Sequence, residues 1–231
     1  MIKGMKISVA LAAYKGEKYL AEQLRSILSQ IGDDSQIIVS DDCPDDEMKS
    51  IVDSFGDGRI QYVKGPGQGV IKNFEYAISL CEGDYIFLCD QDDVWREDKV
   101  EKCLAELQNG CLLVLHDAAI VDAGLNDTGK TVFDSLNSSS GVLKNLTVNS
   151  FVGCCMAFKK ELKNHILPFP KNLPMHDQYI GLAATKYGKV KLINEPLIFY
   201  RRHGGTVTGG RTSLKDKIKW RFQIVGAYLK A

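Results

Sequence analysis

Through its first 110 residues the chain alternates short, continuous apolar runs with stretches whose apolar positions recur at helical spacing. Residues 6–13 (KISVALAA), 36–40 (QIIVS), 59–63 (RIQYV) and 85–89 (YIFLC) read as strands, three of them apolar enough to be buried on both faces. Between them, Leu20, Leu24, Ile27 and Leu28 mark a helix over 17–30, and residues 45–55 read as a second helix. Phe74, Ala77 and Ile78 mark a helix over 70–81, and 98–108 reads as a fourth. This β-α-β-α order predicts an α/β fold with a Rossmann-like, mostly parallel central sheet and helices on both faces. Ligands of such open sheets bind beyond the carboxyl ends of the strands. Two of the runs stop there at acids, Asp41-Asp42 and Asp90.

The second half is less regular. Residues 111–116, 150–158, 190–193 and 197–201 read as strands, and 159–166 and 177–187 as helices. Residues 122–149 are polar and rich in Gly, Ser and Asn, which reads as a long loop, and three prolines make 168–174 another. From 214 onward, Leu214, Ile218, Phe222, Val225 and Leu229 trace one apolar helix face. The expected organisation is a main domain over 1–212, with a nucleotide-binding half of about 1–110 and an acceptor half of about 111–212. A basic amphipathic helix over 213–231 follows.

Composition narrows the class. The 45% hydrophobic and 25% charged fractions are those of a globular protein. Net charge is zero, yet residues 201–231 hold eight Lys/Arg against one acid, which leaves the first 200 residues with 21 bases against 28 acids. An acidic body excludes a general nucleic-acid binder. The basic tail suits protein packing, a second copy of the chain, or an anionic membrane surface. Seven cysteines without metal-finger spacing read as reduced, buried thiols. No secretory leader and no membrane span is visible, so the expected location is cytoplasmic, with peripheral contact at the inner face of the membrane as the alternative.

The chemistry concentrates after the 85–89 strand. Asp90, Asp92 and Asp93 place three carboxylates in four residues, and such acids repel one another unless a cation sits among them. Mn2+ or Mg2+ takes oxygen ligands from one or two carboxylates and completes its shell with substrate phosphate. Asp92 or Asp93 could equally cap the next helix. Asp41 and Asp42 could accept hydrogen bonds from a base or ribose, or cap the helix that follows. Lys72 could approach phosphate or face solvent. The loop Gly65-Pro-Gly-Gln-Gly69 is not a P-loop, because no Gly-Lys-Ser/Thr follows it.

The segments ISVALAAYKGEKYLAEQLRSILSQ, IIVSDD, GVIKNFEYAI, GDYIFLCDQDDVW, NSFVGCCMAF, MHDQYIG and YRRHGG occur in one order across about residues 5–205. Together they resemble glycosyltransferase family 2, the inverting family with a GT-A fold, and FLCDQDDVW and MHDQ look like its bacterial rhamnosyltransferase branch. The resemblance implies a metal-dependent enzyme that moves one sugar from a nucleotide-diphosphate donor, such as dTDP-rhamnose or a UDP-hexose, to a glycan, lipid-linked or protein-linked hydroxyl acceptor in surface polysaccharide synthesis.

It also implies roles. Ala12, Ala13, Tyr14, Glu17, Asp41, Asp42, Lys72, Asn73, Asp90 and Gln91 would serve the nucleotide. Asp90, Asp92 and His203 would hold Mn2+ or Mg2+, Arg201 and Arg202 would meet the diphosphate, and Asp177 would be the catalytic base. The chain departs from the family at Ala12-Ala13-Tyr14, at Cys43-Pro44 and at His176-Asp177, which bears on donor preference. It lacks the Gln-x-x-Arg-Trp motif of processive polymerases, which favours single addition. A nucleotidyltransferase and a non-catalytic sugar-nucleotide binding protein are the alternatives.

Overall fold

The computed structural model describes residues 5–43, 45, 47–203 and 213–231. Pro44, Gly204, Gly205 and Arg211, and the side chain of Leu214, lie outside them. Strands β1 (Ile7–Ala13), β2 (Gln36–Asp41), β3 (Ile60–Lys64) and β4 (Tyr85–Asp90) pair in parallel in the order β3-β2-β1-β4. All seven residues of β1 are buried, as a strand covered on both faces requires. Helices α1 (Glu17–Leu28), α2 (Glu47–Asp53) and α3 (Val70–Leu80) make the crossovers. Their inward faces are those the spacing picked out: Leu20, Leu24 and Ile27 on α1, Phe74, Ala77 and Ile78 on α3. Burying each of the leucine, isoleucine and phenylalanine side chains among them contributes about 1.5–3 kcal/mol.

Beyond β4 the sheet becomes mixed. After the short β5 (Val94–Trp95) and α4 (Lys99–Gln108) come β6 (Cys111–Val121), β7 (Asp127–Thr131), α5 (Val132–Leu136) and α6 (Val142–Thr147). A 3-10 turn at Gly153–Cys155 leads into β8 (Met156–Lys159), then α7 (Lys160–Ile166), α8 (His176–Tyr187), β9 (Lys189–Arg201) and α9 (Leu214–Lys230). The nine-stranded sheet continues β4-β8-β6-β9-β5, with β7 on β6. Strand β8 is antiparallel to both neighbours, β6 and β9 are parallel, and β5 returns antiparallel on β9.

Three expectations change here. The 122–149 stretch is not one loop but contains β7, α5 and α6. The first part of 150–158 is a 3-10 turn rather than strand. The two strands expected at 190–193 and 197–201 are one strand, β9, whose register on β6 slips between His116↔Ile193 and Asp117↔Pro196. Proline has no N–H for the ladder, which explains the irregularity there. All seven cysteines are buried and unbridged.

Candidate active site

The sheet register brings the expected site to one edge. Ala12 pairs with Asp90 across β1 and β4, and Ala13 pairs with Asp41 across β1 and β2, so three strand ends sit side by side. Past β1 the chain turns through Tyr14 and Lys15, where Lys15 adopts a positive φ of 54° before α1 begins. Gln91 clips this turn: its Oε1 accepts the Tyr14 N–H at 2.6 Å and its Nε2 donates to the Tyr14 carbonyl at 2.7 Å. Gly16 makes room, since a Cβ there would fall 2.2 Å from the Gln91 side chain. The Tyr14 ring itself is 52% exposed at the edge. Gln91 thus shapes the turn through its backbone contacts. Glu17 starts α1, and its carboxylate, the Cys43 thiol and the Asp45 carboxylate lie within 4.8 Å of one another.

The first acid pair divides its work. Asp41 is fully buried, accepting the Cys43 N–H and the Tyr62 hydroxyl, both at 2.9 Å, and burial raises its pKa. Asp42 is less buried and accepts the N–H groups of Gly67 at 2.9 Å and Gly69 at 2.8 Å, which folds the glycine loop back over the strand edge. Of the two, Asp42 is the one with access to a ligand.

Two of the expected contact residues are engaged within the protein. Asn73 is buried, donating to the carbonyls of Ser40 at 2.9 Å and Ala13 at 3.2 Å and accepting the Ser40 hydroxyl, so it braces the ends of β1 and β2. Arg201 is likewise buried. Its Nε donates to the Asp92 carbonyl and its Nη1 to the Ala123 carbonyl, each at 2.7 Å, while Nη2 pairs with Glu22. Lys72 ion-pairs with Glu75 along α3, and the exposed Arg202 guanidinium lies 5.5 Å from the Tyr200 ring centroid.

In the acid turn, Asp92 meets His203 at 2.8 Å (Oδ2 to Nε2), and the His203 ring tilts against Tyr19 at a centroid distance of 4.9 Å. Asp93 is buried and accepts the Arg201 N–H at 3.0 Å through Oδ1, while its buried Oδ2 has no N–H or O–H donor among the described residues. Ligating atoms of Asp90, Asp93 and Cys154 lie within 4.8 Å of one another. Burial, then the charges of Asp92 and Asp177, push the Asp90 carboxyl up to about 7; burial, then the charges of Asp90 and Asp92, hold Asp93 well above the usual range. A cation not foreseen in the sequence lies close by. Lys99 is fully buried at the start of α4, its Nζ donating to the Cys154 carbonyl at 2.9 Å and lying 4.0 Å from the Trp95 ring centroid. Its charge favours the ionised form of Asp90.

Asp177 closes the site from the second half of the chain. It stands in the first turn of α8, where its Oδ1 accepts the Gln178 N–H at 2.6 Å and the Asn149 side-chain amide at 3.0 Å. Asn149 was not singled out in the sequence. Burial pushes the Asp177 carboxyl up to about 6 although the hydrogen bonds from Gln178, Asn149 and the Gly153 backbone favour its ionised form. The preceding His176 stacks on Phe74 at 4.2 Å, with neither ring nitrogen hydrogen-bonded among the described residues, and burial pushes its pKa down to about 3. It is a neutral packing residue that lets the 3-10 turn approach, since a Cβ on Gly153 would fall 3.0 Å from its Nε2.

A parallel sheet continued by mixed strands, with acids on their shared edge, is the architecture of GT-A glycosyltransferases. The chain superposes over 98% of its length on S. aureus TarS in complex with UDP-GlcNAc (TM-score 0.77, 19% identity, 67% of that chain). It matches a mannosyltransferase from Pyrobaculum calidifontis in complex with GDP-Man and Mn2+ over the same share (TM-score 0.67, 15% identity, 64% of that chain). Residues 8–167 match the model of Glycosyl transferase family 2, and the chain belongs to that family. A dTDP-rhamnosyl transferase, RfbG of Shigella flexneri, is 27% identical over 90% of this chain and 77% of its own length. Relatives that match most of this chain are longer, and it spans 61–87% of their lengths.

Proposed function

We propose that the protein is a metal-dependent, inverting glycosyltransferase that moves one sugar from a nucleotide-diphosphate donor to a hydroxyl acceptor in bacterial surface polysaccharide synthesis. The observation that carries this reading is the meeting of Asp90, Asp92 and Asp177, from opposite halves of a family 2 chain, within electrostatic reach of one another. The half over about 1–110 holds the nucleotide, the half over about 111–212 the acceptor, and residues 213–231 form an appended helix.

Asp42 and the backbone of the Tyr14 turn face the base and ribose, and the Gln91 clip keeps that turn in shape. The Asp177 carboxylate accepts the acceptor hydroxyl proton while the hydroxyl oxygen bonds to the anomeric carbon. The bond from that carbon to the diphosphate oxygen breaks on the opposite face, and the nucleoside diphosphate leaves with the electron pair. Asn149 and the Gln178 N–H hold the carboxylate in place.

A divalent cation fits the donor set. Asp90 and Asp92 offer hard oxygen ligands, Asp90 carries repulsion that a cation relieves, and the buried Asp93 Oδ2 is without an N–H or O–H donor among the described residues. Asp90, Asp92 and His203 would hold Mn2+ or Mg2+, which would supply charge stabilisation for the departing diphosphate. The RfbG relative favours dTDP-rhamnose among donors, with a UDP-hexose as the alternative.

The test is release of nucleoside diphosphate from a panel of UDP, dTDP and GDP sugars, with and without EDTA. Turnover of one donor, abolished by EDTA and restored by Mn2+ or Mg2+, is expected, with product of inverted anomeric configuration by NMR. Full turnover in EDTA would remove the metal from the reading, and pyrophosphate release from a nucleoside triphosphate would replace it with nucleotidyl transfer.

A further inference from the structure

Helix α9 has two apolar faces, and among the described residues only one is covered. Ser213 caps its start by accepting the Asp216 N–H at 3.1 Å. Trp220, Ile224, Ala227 and Ala231, spaced i, i+4, i+7 and i+11, lie on the inward side, where Ile224 and Ala227 are buried and Trp220 is 39% exposed. The helix packs on α8 and α6. A second stripe with the same spacing, Ile218, Phe222, Val225 and Leu229, points the other way; Phe222 is 76% and Leu229 71% exposed. A helix that serves only to cover its own domain needs one such stripe.

The charges around the second stripe are of one sign. At 100° per residue Arg221 falls on one margin, and Lys215, Lys219 and Lys230 on the other, while the single acid of the helix, Asp216, projects to another side. Arg221 also donates its Nε to the Thr147 carbonyl at 3.2 Å, which joins the Arg221 margin to the end of α6. Two more apolar side chains are bare in that region, Leu143 at 84% and Val148 at 55% exposure. An apolar strip with basic margins matches an anionic bilayer, where the strip enters the acyl boundary and the Lys/Arg heads remain among the phosphates. The first 200 residues carry a net charge of −7, so an anionic surface repels the body and attracts this helix, which orients the molecule.

We propose that the outward stripe of α9 is a docking surface for anionic lipid bilayers. The surface stands independently of the transfer chemistry. Where that chemistry holds, it brings the acceptor side toward the membrane: Arg221 of α9 touches α6, and α6 touches the first turn of α8 through the Gln178 amide on the Asn145 carbonyl, one residue from Asp177.

Flotation of the full chain with phosphatidylcholine vesicles, with and without about a third phosphatidylglycerol, tests this. The protein should float with anionic vesicles and stay behind with neutral ones, and raised salt should weaken binding. Phe222→Ser/Leu229→Ser should abolish flotation with an unchanged circular dichroism melt, and Lys215→Glu/Lys219→Glu should reduce partitioning by at least about tenfold, given roughly fivefold per basic residue. No flotation with anionic vesicles at low salt overturns the proposal, as does undiminished flotation of the Phe222/Leu229 variant. A dimer in solution that dissociates on the Phe222/Leu229 change also overturns it, because a second copy of the chain then covers the stripe.

Discussion

Replacing Asp177 by Asn should stabilise the fold while abolishing transfer, and its size follows from the environment of the carboxyl. An Asp in the unfolded chain titrates near 3.8, and burial moves Asp177 to about 6. A shift of roughly two units corresponds to about 3 kcal/mol of destabilisation carried by the ionised form at neutral pH. Between these values the folded state binds more protons than the unfolded, so this contribution to stability falls as pH rises from about 4 to about 6 and is constant above. Asparagine is isosteric and neutral, and its carbonyl oxygen keeps the bonds from Asn149 and Gln178. Its new amide donor lacks an acceptor, which costs about 1–2 kcal/mol, so the net gain is about 1–2 kcal/mol. For a chain of 231 residues that is a melting-temperature rise of about 2–8 °C. Melts in EDTA at pH 7.5 and pH 4.5 read it, and the difference should shrink at the lower pH. Turnover of the variant at pH 7.5 should fall at least about 10²-fold, and wild-type turnover should drop about tenfold per unit below pH 6. A variant that melts lower at both pH values, or that turns over normally, refutes the reasoning.

Other outcomes follow from close contacts. Gly16→Ala places a methyl on Gln91, the flexible end of the clip, so the side chain should swing off Tyr14; donor KM should rise roughly fivefold with stability changed by less than about 1 kcal/mol, as read by steady-state kinetics and melting. Gly181→Ala puts a Cβ 2.5 Å from the ring of the buried Phe151 and should cost about 1–3 kcal/mol in urea unfolding, partly recovered by adding Phe151→Leu.

The parallel half of the fold was legible because β1, β2 and β4 are buried on both faces and must be apolar throughout, and because acids mark where β2 and β4 leave the core. The 122–149 stretch was not, since β7 is a solvent-exposed strand of polar residues and α5 and α6 bury only Val132 and Asn145, too little for any period to show. Strand β9 was split in two by Pro196 and the register slip beside it. In the site, the acids were visible as residue types at strand ends, but their partners depend on folding. Asn73 and Arg201 had the chemistry of ligand contacts, and the fold turns both inward onto backbone carbonyls. Lys99, in the first turn of a helix, has the local pattern of a solvated lysine, and only the arrival of the Cys154 carbonyl and the Trp95 ring buries it.

The tie between the acid turn and the end of β9 has a consequence for biosynthesis. Asp92 waits for His203, and Asp93 for the Arg201 N–H, partners more than 100 positions downstream. While a ribosome is still translating the stretch between them, the emerging polypeptide holds its carboxylates together without these two contacts, and like-charge repulsion keeps the turn open. Assembly of the acidic edge therefore waits until residues 201–203 have been made, so a stalled or prematurely terminated product that has completed only the parallel half would still lack it.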